Sequence, residues 1–206
     1  MKIVKKKEYY HIQKDNSPYK WNIGQTLFLG DNPNNYAQVF RKGGFSYKSK
    51  SGKIMKILQY FKNFQNLLSD KPNSDIELKA EKESIIVLKS FADDMIRVHR
   101  ENLFEEIRLN FFPNLPSRKR GIWLIPYNEE ALNYWKTRIS KGRIFKIRAT
   151  GKVHNSSENY LLLEQYKSFN HIRNMAFLYW AGVEENSIKD EIIFEGFIEV
   201  LELIEY

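Results

Sequence analysis

Residues 121–126, Gly121-Ile122-Trp123-Leu124-Ile125-Pro126, constrain the fold more tightly than any other stretch of the chain. A short apolar run between glycine and proline has the length and residue type of a buried strand. Pro126 ends it, because proline has no N–H for a ladder. Upstream, Asn114-Leu115-Pro116-Ser117 must bend, since proline fixes φ and removes a donor. Downstream, Asn128 is placed as a helix N-cap, and Glu129 and Glu130 suit the positive end of the helix dipole. Ala131, Leu132, Tyr134 and Trp135 then supply an apolar stripe. A turn, a strand and a capped helix are thus packed into residues 114–135. Ser117-Arg118-Lys119-Arg120 brings cations to this strand–helix junction, a setting suited to a phosphate-bearing ligand. Read alone, the same residues are a basic loop leading into a core strand.

Strand signals recur at both ends of the chain. In Glu8–Gln13 alternation puts Tyr9, His11 and Gln13 on one face and Tyr10 and Ile12 on the other. A second short strand is expected within Ile23–Gly30, followed by a loop at Asp31–Asn35. Arg143–Val153 alternates strictly, Tyr160–Leu163 reads as another short strand, and Glu191–Leu203 as a long one bulged at Gly196. Between them lies a helical block. Ile54, Ile57, Leu58, Phe61, Phe64, Leu67 and Leu68 recur at helical spacing, and Ser74 or Asp75 caps a further helical region after the break at Pro72. Over Ile85–Asn110 the stripe reads Ile86, Ser90, Phe91, Met95, Val98, Phe104, Ile107 and Leu109. There Glu105-Glu106-x-Arg108 has the spacing of ordinary helix-surface pairing, and His99 that of a surface or packing histidine. His171–Ala181 reads as an aromatic-rich helix closed by Gly182 as C-cap. The class is α+β in a single domain, residues 1–206, with a helical insertion at about 53–112.

Composition narrows the function. With no cysteine there is no disulfide, no thiolate nucleophile and no cysteine-ligated zinc. The four histidines, His11, His99, His154 and His171, show no metal-ligand spacing, so no metal is expected. No apolar run reaches the length of a membrane span, and the basic start Met1–Lys7 lacks a following apolar region, so a cytoplasmic protein is expected. No phosphate loop or G-x-G-x-x-G fingerprint is present. Charge is uneven: residues 184–206 carry eight acids and one lysine, −7, which leaves +15 on residues 1–183 of a chain whose total is +8. That surplus, with the Gly-, Ser- and Lys-rich run Arg41–Lys56 and its Phe45 and Tyr47, suits either a solvated loop or a groove that tracks a nucleic-acid backbone.

Three segments, in order, resemble the ADP-ribosyltransferase fold in its poly(ADP-ribose)-polymerase-like branch. Gly121-Ile122-Trp123-Leu124 with Glu130-Ala131-Leu132-Asn133-Tyr134 is similar to that family's G-I-Y-F-A strand and S-A-x-Y helix. Asp190-Glu191-Ile192-Ile193-Phe194, running on to Ile198-Glu199-Val200, is similar to its N-E-Y-I-V-Y strand, and Tyr10-His11-Ile12 to the first strand that carries its histidine. The chain also resembles an uncharacterised bacterial family with the same Pro-Ser-Arg, strand, Tyr-Trp arrangement. These likenesses cover about a third of the chain and leave the helical block unaccounted for.

The resemblance implies a split antiparallel β-sheet core around a cleft for NAD, with ADP-ribose passed to a nucleic-acid or protein acceptor. It implies Glu191 as the catalytic carboxylate, Trp123 stacked on nicotinamide, and His11 orienting the adenosine ribose. Ser117 and Arg118 would meet the pyrophosphate or the acceptor. Cleavage of the nicotinamide–ribose bond builds an oxocarbenium-like centre, which a neighbouring carboxylate stabilises. Two departures stand out: Trp123 replaces a tyrosine and loses its hydroxyl, and Ile12 replaces the glycine that usually follows the histidine. Glu195, on the same strand face as Glu191 if the strand is regular, is an alternative carboxylate. The competing readings are a nucleic-acid-binding module without catalysis and a degenerate interaction scaffold.

Overall fold

A computed structural model describes residues 2–15, 17, 20–42, 46–48, 54–69, 74–139, 142–162, 168–183 and 188–204. The elements run β1 (Lys2–Gln13), β2 (Thr26–Leu29), α1 (Asn35–Lys42), β3 (Ser46–Lys48), β4 (Ile54–Lys56), α2 (Ile57–Ser69), α3 (Ser74–Phe111), β5 (Ile122–Pro126), α4 (Glu129–Arg138), β6 (Arg143–Ser157), α5 (Phe169–Ala181) and β7 (Asp190–Ile204). The chain forms two compact units, Met1–Ala37 with Glu101–Tyr206, and Gln38–Arg100. Among the described residues no helix is long and apolar enough to cross a membrane.

In the first unit an antiparallel five-stranded sheet has the order β2-β7-β5-β1-β6, and β6 also pairs with β7. The ladders β7–β5, β5–β1, β1–β6 and β6–β7 therefore close a ring of four strands. Its inward face carries Val4, Tyr9, Leu124, Phe145, Ile147, Ile192, Phe194 and Val200, with Trp21 packed among them. Two further cores lie on the outward face. One joins Ile193 to Leu103, Phe104 and Ile107 of α3 and to Ile172, Ala176, Tyr179 and Trp180 of α5. The other joins Tyr10, Ile12, Ile125 and Ile144 to Ala131 and Leu132 of α4. Burial of each such large apolar side chain contributes about 1.5–3 kcal/mol.

Local chemistry explains most boundaries. The Asn128 side chain caps α4 by accepting from Ala131 N at 2.7 Å, and Ser168 caps α5 at His171 N. Gly182 closes α5 in the left-handed region, φ 71. The β6–β7 ladder is continuous past Gly196, so the expected bulge is not there. The irregularity falls at Leu201, between the pairs Ile147↔Val200 and Lys146↔Glu202. That one extra residue switches the parity of β7 and turns Ile204 outward to the α4 core. Gly196 instead faces Gly151, where the backbones meet too closely for a side chain. A second bulge places Lys5 and Lys6 opposite Thr150, and Lys6 N donates to the Thr150 hydroxyl at 3.0 Å. Exposed lysines beside a bulge are a common protection against edge-to-edge pairing, which accounts for the basic start of β1.

Other expectations need correcting. Residues 158–161 form a 3-10 turn capped by Ser157 rather than a strand, because the Ser157 hydroxyl takes the Asn159 N–H. Asn34, inside the expected loop Asp31–Asn35, caps the start of α1 by accepting from Ala37 N at 2.9 Å. In the second unit Ile54–Lys56 pairs with Ser46–Lys48 as a hairpin ladder, and the helix begins only at Ile57. The core of that unit is Ile57, Tyr60 and Val87, with Phe61 and Phe91 against it. Ile86, Met95 and Leu109, expected on the buried stripe of α3, are exposed, while Val87 is fully buried. Residues 43–45 and 49–53 of the basic Gly- and Ser-rich run lie outside the described residues.

Candidate functional site

The bend after α3 turns its polar residues inward. Arg108 pairs with Glu105 through two nitrogens, at 2.8 and 3.2 Å, and donates to the carbonyls of Pro113 and Leu115 at 3.1 and 2.9 Å. This is a buried clamp on the following loop, not the surface pair that helix spacing suggests. The Ser117 hydroxyl lies 3.0 Å from both oxygens of Glu105, and Ser117 N donates to Glu195 Oε1 at 3.0 Å. From β2's side of the sheet, the Asn34 amide donates to the carbonyls of Arg118 and Gly121, each at 2.8 Å.

Arg118 is the hub. Its Nε and Nη2 reach Glu101 at 2.9 and 3.3 Å, while Nη1 donates to the Tyr179 hydroxyl at 2.9 Å and to Glu191 Oε2. Tyr179 donates to that same Oε2 at 2.6 Å. The rings of Tyr179, Phe104 and Trp123 surround the guanidinium at 5.1, 5.9 and 5.9 Å. Burial alone would drain the proton from Arg118, but Glu101 and Glu191 outweigh it and hold the charge firmly in place. Burial, reinforced by Glu191, raises Tyr179 well above its ordinary range, so it stays a neutral phenol. Glu191 is held entirely through Oε2; its Oε1 has no hydrogen-bond partner among the described residues.

The strands bearing His11, Trp123 and Glu191 are neighbours, in the order β1-β5-β7. Their side chains divide between the two faces. Trp123 pairs with Ile193, so Trp123, Glu191 and Glu195 share the outward face. His11 pairs with Phe145 and points inward, where it stacks on Trp21 at 4.5 Å and donates from Nδ1 to the Trp123 carbonyl at 2.9 Å. Burial lowers its pKa to about 4, leaving a neutral imidazole. Ser117 and Arg118 are buried and engaged with glutamates. Arg120 is the most exposed cation of this run, with its side chain 45% exposed and Nε 3.7 Å from Glu195 Oε1, while Lys119 Nζ donates to Asn102 at 2.8 Å.

On the same sheet face as Glu191, Trp123 Nε1 and Ser156 Oγ are buried without a hydrogen-bond partner among the described residues. Ser156 is paired with Glu191 across the β6–β7 ladder. None of Glu101, Glu105, Arg108, Asn34, Ser156 and Tyr179 was read from the sequence as part of a site. Of these, only the Glu101-x3-Glu105-x2-Arg108 spacing, which places three charges on one helix face, was a visible signal.

Fold and site define a mixed α/β protein with an antiparallel sheet and a buried Glu-Arg-Glu-Tyr network at the junction of β5, β7, α3 and α5. The chain belongs to the family described as protein of unknown function DUF2441, whose model matches residues 9–206. No curated protein matches it.

Proposed function

We propose that the chain is an ADP-ribosyltransferase-like protein that uses NAD, with Glu191 as its catalytic carboxylate. The reading rests above all on the half-engaged carboxylate of Glu191, whose Oε2 is fixed by Arg118 and Tyr179 while Oε1 has no hydrogen-bond partner among the described residues. Fixing one oxygen sets the direction of the other and costs no reorganisation during reaction. Trp123 Nε1 and Ser156 Oγ stand on the same face, and unsatisfied buried polar groups call for a partner. A ribose, with its adjacent hydroxyls, supplies both donors and acceptors.

In the reaction the bond between C1′ of the ribose and the nicotinamide nitrogen of NAD breaks, and its electron pair passes to the pyridinium ring, which leaves as neutral nicotinamide. The ribose acquires oxocarbenium character, which Glu191 stabilises. An acceptor oxygen or nitrogen on a nucleic acid or protein forms the new bond, and its proton passes to water. Ser117 and Arg118 hold the loop and the carboxylate in this scheme, and Arg120 is the cation open to a pyrophosphate. His11, on the other face, steadies β5 through the Trp123 carbonyl.

The test is nicotinamide release from NAD, with cell lysate supplying acceptors, by wild type and Glu191→Gln. Glutamine keeps the hydrogen bonds from Arg118 and Tyr179 but removes the charge. Release by wild type that vanishes in the variant supports the reading. No release from either, or equal release from both, overturns it, and release lost in Glu195→Gln but kept in Glu191→Gln moves the role to Glu195.

A further inference from the structure

A cleft of about 490 Å³ opens in the first unit where the end of α3, the end of α5 and the second half of β6 come together. Its size falls in the range of small-molecule sites. Phe111 and Phe112 give it aromatic sides over the buried Trp180, and Asn114 and Asn155 line it with side-chain amides that make no hydrogen bond among the described residues. His154 adds an acceptor. Its Nε2 lies 2.9 Å from the Tyr179 carbonyl, which can only accept, so Nε2 carries the proton. Burial lowers the pKa of His154 to about 4, so Nδ1 is bare at neutral pH and has no partner among the described residues. Lys2, an exposed lysine, is among the residues that line it.

We propose that this cleft binds a purine nucleoside monophosphate. Flat aromatic walls with mixed amide donors and acceptors suit a heteroaromatic base better than an aliphatic ligand. Two helices, α3 and α5, end at the cleft, and their carbonyl ends favour N–H donors such as an exocyclic amine and disfavour anions. The base therefore lies toward Asn114, His154 and Gly182, and the phosphate toward Lys2. None of this uses Glu191 or NAD turnover, so binding here and catalysis there fail separately.

The experiment is calorimetric titration of the full chain with AMP, adenosine and inorganic phosphate. Ala181→Trp, at an exposed position on the cleft wall, fills the site, and Lys2→Ala removes the lysine charge; thermal unfolding confirms that both variants fold. Saturable AMP binding is expected, weaker by about tenfold or more in Ala181→Trp, which corresponds to about 1.4 kcal/mol or more. In Lys2→Ala, AMP is expected to bind no better than adenosine. Lack of AMP binding by wild type, AMP binding undiminished in Ala181→Trp, or full competition by inorganic phosphate alone would overturn the assignment.

Discussion

Tyr179 donates to Glu191 Oε2 across 2.6 Å, and it is the same oxygen that Arg118 engages. Two donors on one oxygen leave the carboxylate oriented rather than merely buried. Tyr179 is fully buried and edge-on to Trp180, so its ring cannot follow a displaced glutamate.

Tyr179→Phe keeps the packing and removes the hydroxyl that both Arg118 and Glu191 contact. A loss of about 1.5–3 kcal/mol is expected, the range for hydrogen bonds to charged groups, measured as a fall in the urea midpoint with unchanged slope. Stability equal to wild type would mean that the hydroxyl does not hold Glu191.

Arg118→Met is expected to be far more damaging. It strands Glu101 and Glu191 in a buried site without their shared counter-charge, which costs on the order of 3–5 kcal/mol. Arg118→Lys should recover only part of this, since an ammonium cannot reproduce the fork that reaches Glu101, Tyr179 and Glu191 together. Full recovery by lysine would show that charge alone matters.

Stability should fall in mild acid. His11 and His154 have folded pKa values of about 4 against an ordinary 6.5, so between those values the unfolded chain binds protons that the folded chain does not. Their contribution is complete above about pH 6.5 and is lost as pH falls toward 4, with a ceiling of about 3 kcal/mol for each. His154→Gln, which keeps a donor for the Tyr179 carbonyl, should flatten the dependence of urea midpoint on pH across this window. An unchanged slope in that variant would mean His154 protonates freely when folded.

Much of the scaffold was legible because its signals are local. The apolar run of β5, the Asn128 cap and the Gly182 cap each act within a few residues. The alternation of β1 also placed His11 opposite Tyr10. What it could not supply was the register Tyr10↔Ile125, which decides that Trp123 lies on the face His11 does not. Arg118 was named as a ligand contact, but its role as a buried hub was hidden for a similar reason: its partners Glu101, Tyr179 and Glu191 are 17, 61 and 73 residues away, and a basic run reads by default as solvated. Tyr160–Leu163 misled because a short apolar run carries no period that separates strand from turn.

The tightest test of the sheet is Gly151→Ala. A Cβ built there lies 2.3 Å from the Glu195 carbonyl oxygen and 2.8 Å from Gly196 Cα, both backbone atoms that no rotamer change can move. Since β6 and β7 pair on both sides of this point, the strands must part for the methyl group to enter. A loss of about 3 kcal/mol or more is expected, beyond usual overpacking costs of about 1–3. Gly24→Ala is the control, because its φ of +80 strains any side chain while nothing lies within 4 Å of the new methyl. Its cost should stay near 1 kcal/mol, the price of a left-handed backbone alone. Equal urea midpoints for the two variants would rule out the close approach of Gly151 and Gly196, and with it the pairing that sets Glu191 beside Ser156.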